Sequence, residues 1–276
     1  MKKIIMACLA LFLLGGCVQP SEKSPVNERV SKPEKNEGES AKKQAAPGKD
    51  EKEDEEQPVQ AKPEYRLTDN YSLVPIAGAN PNVVLLTIDD APDKHALEMA
   101  KTLKSLEAPA IFFVNGHFLN SPEKERILKE IHDMGFMIGN HTFSHANLKE
   151  LGPDEQKKEI LSVNEQIEKI TGMKPKFFRA PFGANTDVSR QIAADEHMVL
   201  MNWSYGYDFE KQYMTKEAIA DIMVNTELLR PGSNLLMHDR EWTNAALKDI
   251  VAGLRAKGYE MLDPALIETI EAPAAQ

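Results

Sequence analysis

Hydrophobic and polar positions follow three different patterns along the chain. An apolar run from Ile4 to Leu14 stands behind Lys2 and Lys3, and Gly15, Gly16 and Cys17 follow at once. The run is about half the ~20 residues that a membrane-spanning helix needs, so residues 1–17 read as a secretion signal. From Val18 to Glu64 there is no aromatic residue, proline occurs six times, and 21 of 47 residues are charged. Such a segment buries too little apolar surface to fold, and residues 18–64 read as a disordered charged linker with an r.m.s. span of about 40 Å. Beyond it, strand-like and helix-like patterns alternate. Asn82 to Asp90 reads as a buried parallel strand, followed by Leu97, Ala100, Leu103 and Leu106 at helical spacing. Further strand-like runs are 110–116, 137–141, 177–181, 198–204, 234–239 and 260–262. Between them the clearest helix carries Ile160, Val163, Ile167 and Ile170 on one face and opens with Pro153, Asp154 and Glu155. The alternation predicts one α/β domain over residues 65–276, with about seven parallel strands and up to seven helices. No glycine-rich phosphate turn follows the first strand, which favours a distorted, incomplete (β/α) barrel over a doubly wound sheet.

Charge and cysteine content narrow the chemistry. The formal net charge is −10, of which residues 65–276 carry −9. An acidic surface has no cationic excess with which to neutralise phosphates, so nucleic acid and anionic lipid headgroups are excluded as main partners, and nothing points to a protein partner. Both cysteines, Cys8 and Cys17, precede the folded part. The domain therefore works without a disulfide, a thiol nucleophile or a cysteine zinc site.

In a barrel the chemistry sits at the C-terminal ends of the strands. The polar residues there are Asp89 and Asp90, His141 and His145, Arg179, Asp208 and His238. His141 and His145 are four apart, which on a helical turn brings both imidazoles to one side at a separation a divalent metal can bridge. Position 142 is Thr, so the H-E-x-x-H chemistry of zinc proteases lacks its base. One of the adjacent aspartates can complete an Asp-His-His site while its neighbour accepts a proton from water. Surface histidines and a helix cap after the first strand would leave the same residues in the sequence.

Taken together these motifs resemble the polysaccharide deacetylases of carbohydrate esterase family 4, whose five motifs follow in order across residues 82–262. Thr87-Ile88-Asp89-Asp90-Ala91-Pro92 resembles the first, T-F-D-D-G-P, with Ala91 in place of Gly. His141 to His145 matches H-[ST]-x-x-H, Arg179-Ala180-Pro181-Phe182 matches R-x-P-[YF], and Leu236-Met237-His238 matches L-x-H. The fourth motif, D-x-x-D-W, is degenerate, with Asp208 and Phe209 in its place. The resemblance implies that Asp89 is the catalytic base and that Asp90, His141 and His145 hold one divalent metal. Zinc is the first choice, and Co2+, Ni2+ or Mn2+ can occupy such a site. It further implies that Arg179 orients the base and that His238 is the general acid, tuned by Asp208. The backbone N–H of Phe182 would help hold the oxyanion, while Leu236, Pro181 and Phe209 form the acetyl pocket. In some family members the proline at the position of Pro181 is hydroxylated.

The activity implied is removal of acetyl groups from N-acetylglucosamine in a cell-envelope polysaccharide, peptidoglycan first. Alternatives are a deacetylase of N-acetylmuramic acid or another amino sugar polymer, and an inactive glycan-binding lipoprotein. Leu14-Gly15-Gly16-Cys17 resembles the bacterial lipobox, which implies lipidation of Cys17 and an extracytoplasmic domain anchored to the cell membrane.

Overall fold

A computed structural model of the chain describes residues 62–270. The signal, Cys17 and the linker up to residue 61 lie outside the described residues, as do residues 271–276. In chain order the elements are β1 (Tyr65–Leu67), β2 (Leu73–Pro75), β3 (Val83–Ala91), α1 (Ala96–Ser105), β4 (Ala110–Val114), α2 (Pro122–Asp133), β5 (Met137–Asn140) and α3 (Pro153–Thr171). They continue with β6 (Phe177–Phe178), α4 (Asp187–Asp195), β7 (Val199–Leu200), β8 (Tyr205–Gly206), α5 (Lys216–Asn225), β9 (Ser233–His238), α6 (Glu241–Ala256) and β10 (Glu260–Met261).

Seven strands form one curved parallel path, β7-β6-β5-β4-β3-β9-β8, and an eighth, β10, pairs with the first residues of β3. This is the open half-barrel that the alternation predicts. All nine residues of β3 are buried, as expected of a central strand covered on both faces. Its side chains alternate between two cores. Val84, Leu86 and Ile88, with Ala110, Phe112 and Val114 of β4, face outward onto α1, α2, α5 and α6. Val83 and Leu85, with Ile111 and Phe113, face inward and meet Tyr65, Leu73, Leu262 and Ile267. Each such buried aliphatic or aromatic side chain contributes about 1.5–3 kcal/mol relative to exposure.

The inner core is a plug, and the antiparallel β1–β2 hairpin, for which the hydropathy pattern gives no signal, supplies part of it. The hairpin is fastened to the N-terminal ends of the central strands through Gly232. Leu73 N–H donates to the Gly232 carbonyl at 2.8 Å, and Gly232 N–H donates to Val83 at 2.8 Å. Gly232 has φ +78°, and a Cβ there would stand 1.9 Å from the Leu73 carbonyl oxygen. With the N-terminal mouth filled by apolar side chains, the inner-face polar residues Thr87 and Asp89 stand toward the opposite mouth.

The run 198–204 is not one strand. It contributes β7, which pairs with β6, and leads to the separate β8, which begins at Tyr205 and pairs with β9 at the other edge of the sheet. Residues 201–204 cross the gap between the edges. Met201 N–H donates to Phe178 at 2.9 Å and Ser204 N–H to Asn234 at 2.8 Å, so the crossing piece is tied to both sides. Met201 joins the inner core and Trp203 follows two residues on, which is why the piece mimics the continuation of a strand.

Candidate active site

Neighbouring residues of a regular strand point to opposite faces, yet Asp89 and Asp90 both reach the same rim. The reason is local: the β3–β4 register shifts between Ile88 and Ala91, so three steps on β3 oppose two on β4. Asp90 takes up the shift at φ +63°. The unusual backbone falls on Asp90 and not on Ala91, which explains why a residue with a methyl is accommodated where the T-F-D-D-G-P motif has glycine.

His141 and His145 do not lie on a helical turn, contrary to the spacing argument. Residues 141–147 are irregular, and Thr142 and His145 have φ +68° and +59°. Positive φ at non-glycine residues is uncommon and persists where the surroundings enforce it. Here Asn140 Oδ1 accepts from Thr142 N–H at 2.8 Å, and Glu159 accepts from both the N–H and the hydroxyl of Ser144 at 2.7 and 2.8 Å. Asn115 donates to the His141 and Thr142 carbonyls from below.

The resulting turn brings His141 Nε2 to 4.0 Å and His145 Nε2 to 3.6 Å from Asp90 Oδ1. Two ligands each about 2.1 Å from a tetrahedral ion stand about 3.4 Å apart, so the three atoms fit a single divalent cation. The protonation states fit as well. His141 Nδ1 lies 2.7 Å from the Arg179 carbonyl, which can only accept, so Nδ1 carries the proton and the Nε2 lone pair is free. Burial pulls the His145 imidazole below its usual range, with His141 adding to the effect against Asp90 and Asp89, and this favours the neutral form a ligand needs.

Arg179, directly after β6, is fully buried. Its Nη1 donates to Asp89 Oδ1 at 2.7 Å and to Thr87 Oγ1 at 2.8 Å. Nε and Nη2 donate to the carbonyls of Met201 and Asn202, and the guanidinium lies 4.3 Å from the Phe113 ring centre. Burial lowers its pKa and Asp89 opposes that, and it remains a cation. Asp89 Oδ1 is thereby engaged, while Oδ2 is directed at the cluster, 3.5 Å from His141 Nε2.

On the other side His238 ends β9, opposite Asp89 in the parallel register. Asp208 is fully buried and receives three donors: His238 Nδ1 on Oδ1 at 2.6 Å, and His238 N–H and Thr243 Oγ1 on Oδ2 at 2.6 and 2.7 Å. Despite the degenerate motif around it, Asp208 points into the protein and onto His238. Burial alone would lower the His238 pKa, but the charge and hydrogen bond of Asp208, helped by Asp89 and Asp90, raise it above the ordinary imidazole value.

Two exposed aromatic rings flank the cluster. Phe182, at φ +58° and 67% exposed, lies 4.8 Å from the His145 ring, and Phe209, 52% exposed, lies 5.8 Å from the His238 ring. Pro181 and Leu236 are buried beside them, Leu236 on the inner face of β9. All the site residues read from the sequence of the folded domain therefore gather at one mouth. Several partners carried no sequence signal: Asn234, 3.3 Å from Arg179 through Oδ1; Asp239, which accepts the N–H groups of Lys94, His95 and Ala96 at the start of α1; and Arg240, on Asp90.

The family model described as polysaccharide deacetylase matches residues 77–200. A peptidoglycan-N-acetylglucosamine deacetylase of Bacillus cereus is 31% identical over 196 residues, covering 67% of this chain and 68% of that protein. The chain belongs to carbohydrate esterase family 4. A second relative of this polysaccharide deacetylase family, the Bacillus subtilis peptidoglycan-N-acetylmuramic acid deacetylase PdaC, is 31% identical over 70% of this chain but only 40% of its own length. Among solved structures, a mutant with restored enzymatic activity of a CE4 family pseudoenzyme from Bacillus anthracis matches at TM-score 0.60 and 31% identity, covering 66% of each chain. CE4 deacetylases are metal-dependent, and the Asp90-His141-His145 group is the candidate site for that metal.

Proposed function

We propose that this chain hydrolyses the N-acetyl group of N-acetylglucosamine residues in peptidoglycan, releasing acetate. The reading is carried by the placement of one acceptor and one donor on either side of the candidate metal site. Asp89 Oδ2 faces the cluster from one side, and His238, held by Asp208, faces it from the other. The similarity to the Bacillus cereus peptidoglycan-N-acetylglucosamine deacetylase supports the sugar and the polymer.

Asp90, His141 and His145 would hold one divalent ion, zinc first, which when bound acidifies water and polarises a carbonyl oxygen. Asp89 takes the proton as water attacks the acetyl carbon, and Arg179 keeps Asp89 Oδ1 fixed so that Oδ2 does so. The N–H of Phe182 donates to the developing oxyanion. His238 Nε2 then protonates the amine nitrogen as its bond to carbon breaks, since an amine anion is a very poor leaving group. Leu236, Pro181 and Phe209 enclose the acetyl methyl.

The experiment offers metal-loaded protein N-acetylglucosamine oligomers and, separately, peptidoglycan whose glucosamine is already deacetylated, and measures acetate. Release from the first, reduced about 100-fold or more in D89N with metal content unchanged, is expected. Release from the second alone would establish N-acetylmuramic acid as the substrate, the sugar in the name of PdaC. Release from neither would leave a glycan-binding protein. Placement at the cell membrane through lipidated Cys17 belongs to the same proposal and rests on the lipobox-like tetrad.

A further inference from the structure

Arg240 stands at the N-cap of α6, a position ordinarily given to Ser, Thr, Asn or Asp. In this chain Ser121, Thr186 and Thr215 fill that role for α2, α4 and α5 with side-chain hydrogen bonds to the first turn. Arg240 makes none, and its positive charge opposes the helix dipole. Its guanidinium instead turns to the candidate metal site. Nη2 donates to Asp90 Oδ2 at 2.7 Å, Nη1 donates to the Asp239 carbonyl at 3.2 Å and lies 3.9 Å from Asp93 Oδ2.

The two oxygens of Asp90 are thereby divided. Oδ1 faces His141 and His145, while Oδ2 is bound to a cation that cannot be deprotonated. We propose that Arg240 is a positioning residue that restricts Asp90 to ligation through a single oxygen. A carboxylate free to chelate would take a second coordination position. Confined to Oδ1, it leaves that position to water and to the acetyl oxygen, which catalytic metal sites must admit. Contacts to the far atom of a ligand commonly control its geometry and the affinity of the metal. The proposal rests on Asp90 being a ligand, as read above.

The test loads wild type, R240A and R240K with zinc and records the carboxylate stretches in infrared difference spectra of metal binding. Ligation by one oxygen gives a wide separation of the antisymmetric and symmetric stretches, and chelation gives a narrow one. Wild type is expected to show the wide separation and R240A the narrow one, with R240K, which keeps a cation and an N–H donor, restoring the wide one. A role confined to holding α6 in place would change the melting temperature of the apo protein and leave the stretches alone. Equal separations in wild type and R240A would overturn the proposal. So would a zinc-loaded wild-type crystal structure with both Asp90 oxygens at ligand distance. A wild type that takes up no zinc would overturn the assignment of Asp90 itself, and the role of Arg240 with it.

Discussion

At Asp208 three donors converge on a carboxylate with no access to water, and two of them belong to His238. In the proposed reaction His238 is the general acid and must carry its proton, so rate is expected to fall as pH rises through the His238 pKa. Burial works against the charged ring, and Asp208 outweighs it, which places the alkaline limb of kcat/KM above the ordinary imidazole range. Asp208→Asn removes the charge but not the burial, so that limb is expected to move to lower pH with metal content unchanged. Superimposable profiles for wild type and D208N would contradict the pairing. Asp208 was legible only through position relative to a degenerate motif, and nothing in the sequence showed that it is buried. Arg240 was not legible at all, because its partner lies 150 positions away and arginine at a helix start reads as a solvated charge. The shared rim of Asp89 and Asp90 depended on a register shift that hydropathy does not record.

Among elements, long strands with strict alternation were the readable ones. β3 and β4 stand within a residue or two of where the apolar runs place them, since each is buried on both faces. The failures have a common cause: an apolar run marks burial and not pairing. The 198–204 run buries Met198 and Met201 and half-buries the rest, yet it contributes two residues to one sheet edge and leads into a two-residue strand at the other. The β1–β2 hairpin is only three residues per strand and alternates too briefly to detect. Its attachment supplies a sharp test. Gly232→Ala adds a methyl against the Leu73 carbonyl at a positive φ, so either the hairpin or the start of β9 must move. Destabilisation of about 1–3 kcal/mol is expected from the urea midpoint of the purified domain. A change within about 0.5 kcal/mol, typical of an unconstrained surface site, would show that the hairpin yields freely.

For the whole molecule the expected order is a lipid anchor, a charged tether and a folded domain. Cys17→Ala is expected to move the protein from the detergent phase to the aqueous phase, or to leave it unprocessed, because two or three acyl chains on one residue suffice for stable anchoring. Unchanged partitioning would refute lipidation. Proteins held on a surface meet one another at high local concentration, and the shape of the sheet bears on how they fare there. At either end of the curved sheet the outermost strand, β7 or β8, is only two residues long. An open strand edge is a template on which another chain can add by backbone pairing, and short edges are one of the ways proteins prevent it. The peptide that crosses from one edge to the other therefore also denies neighbouring copies a seam along which to aggregate.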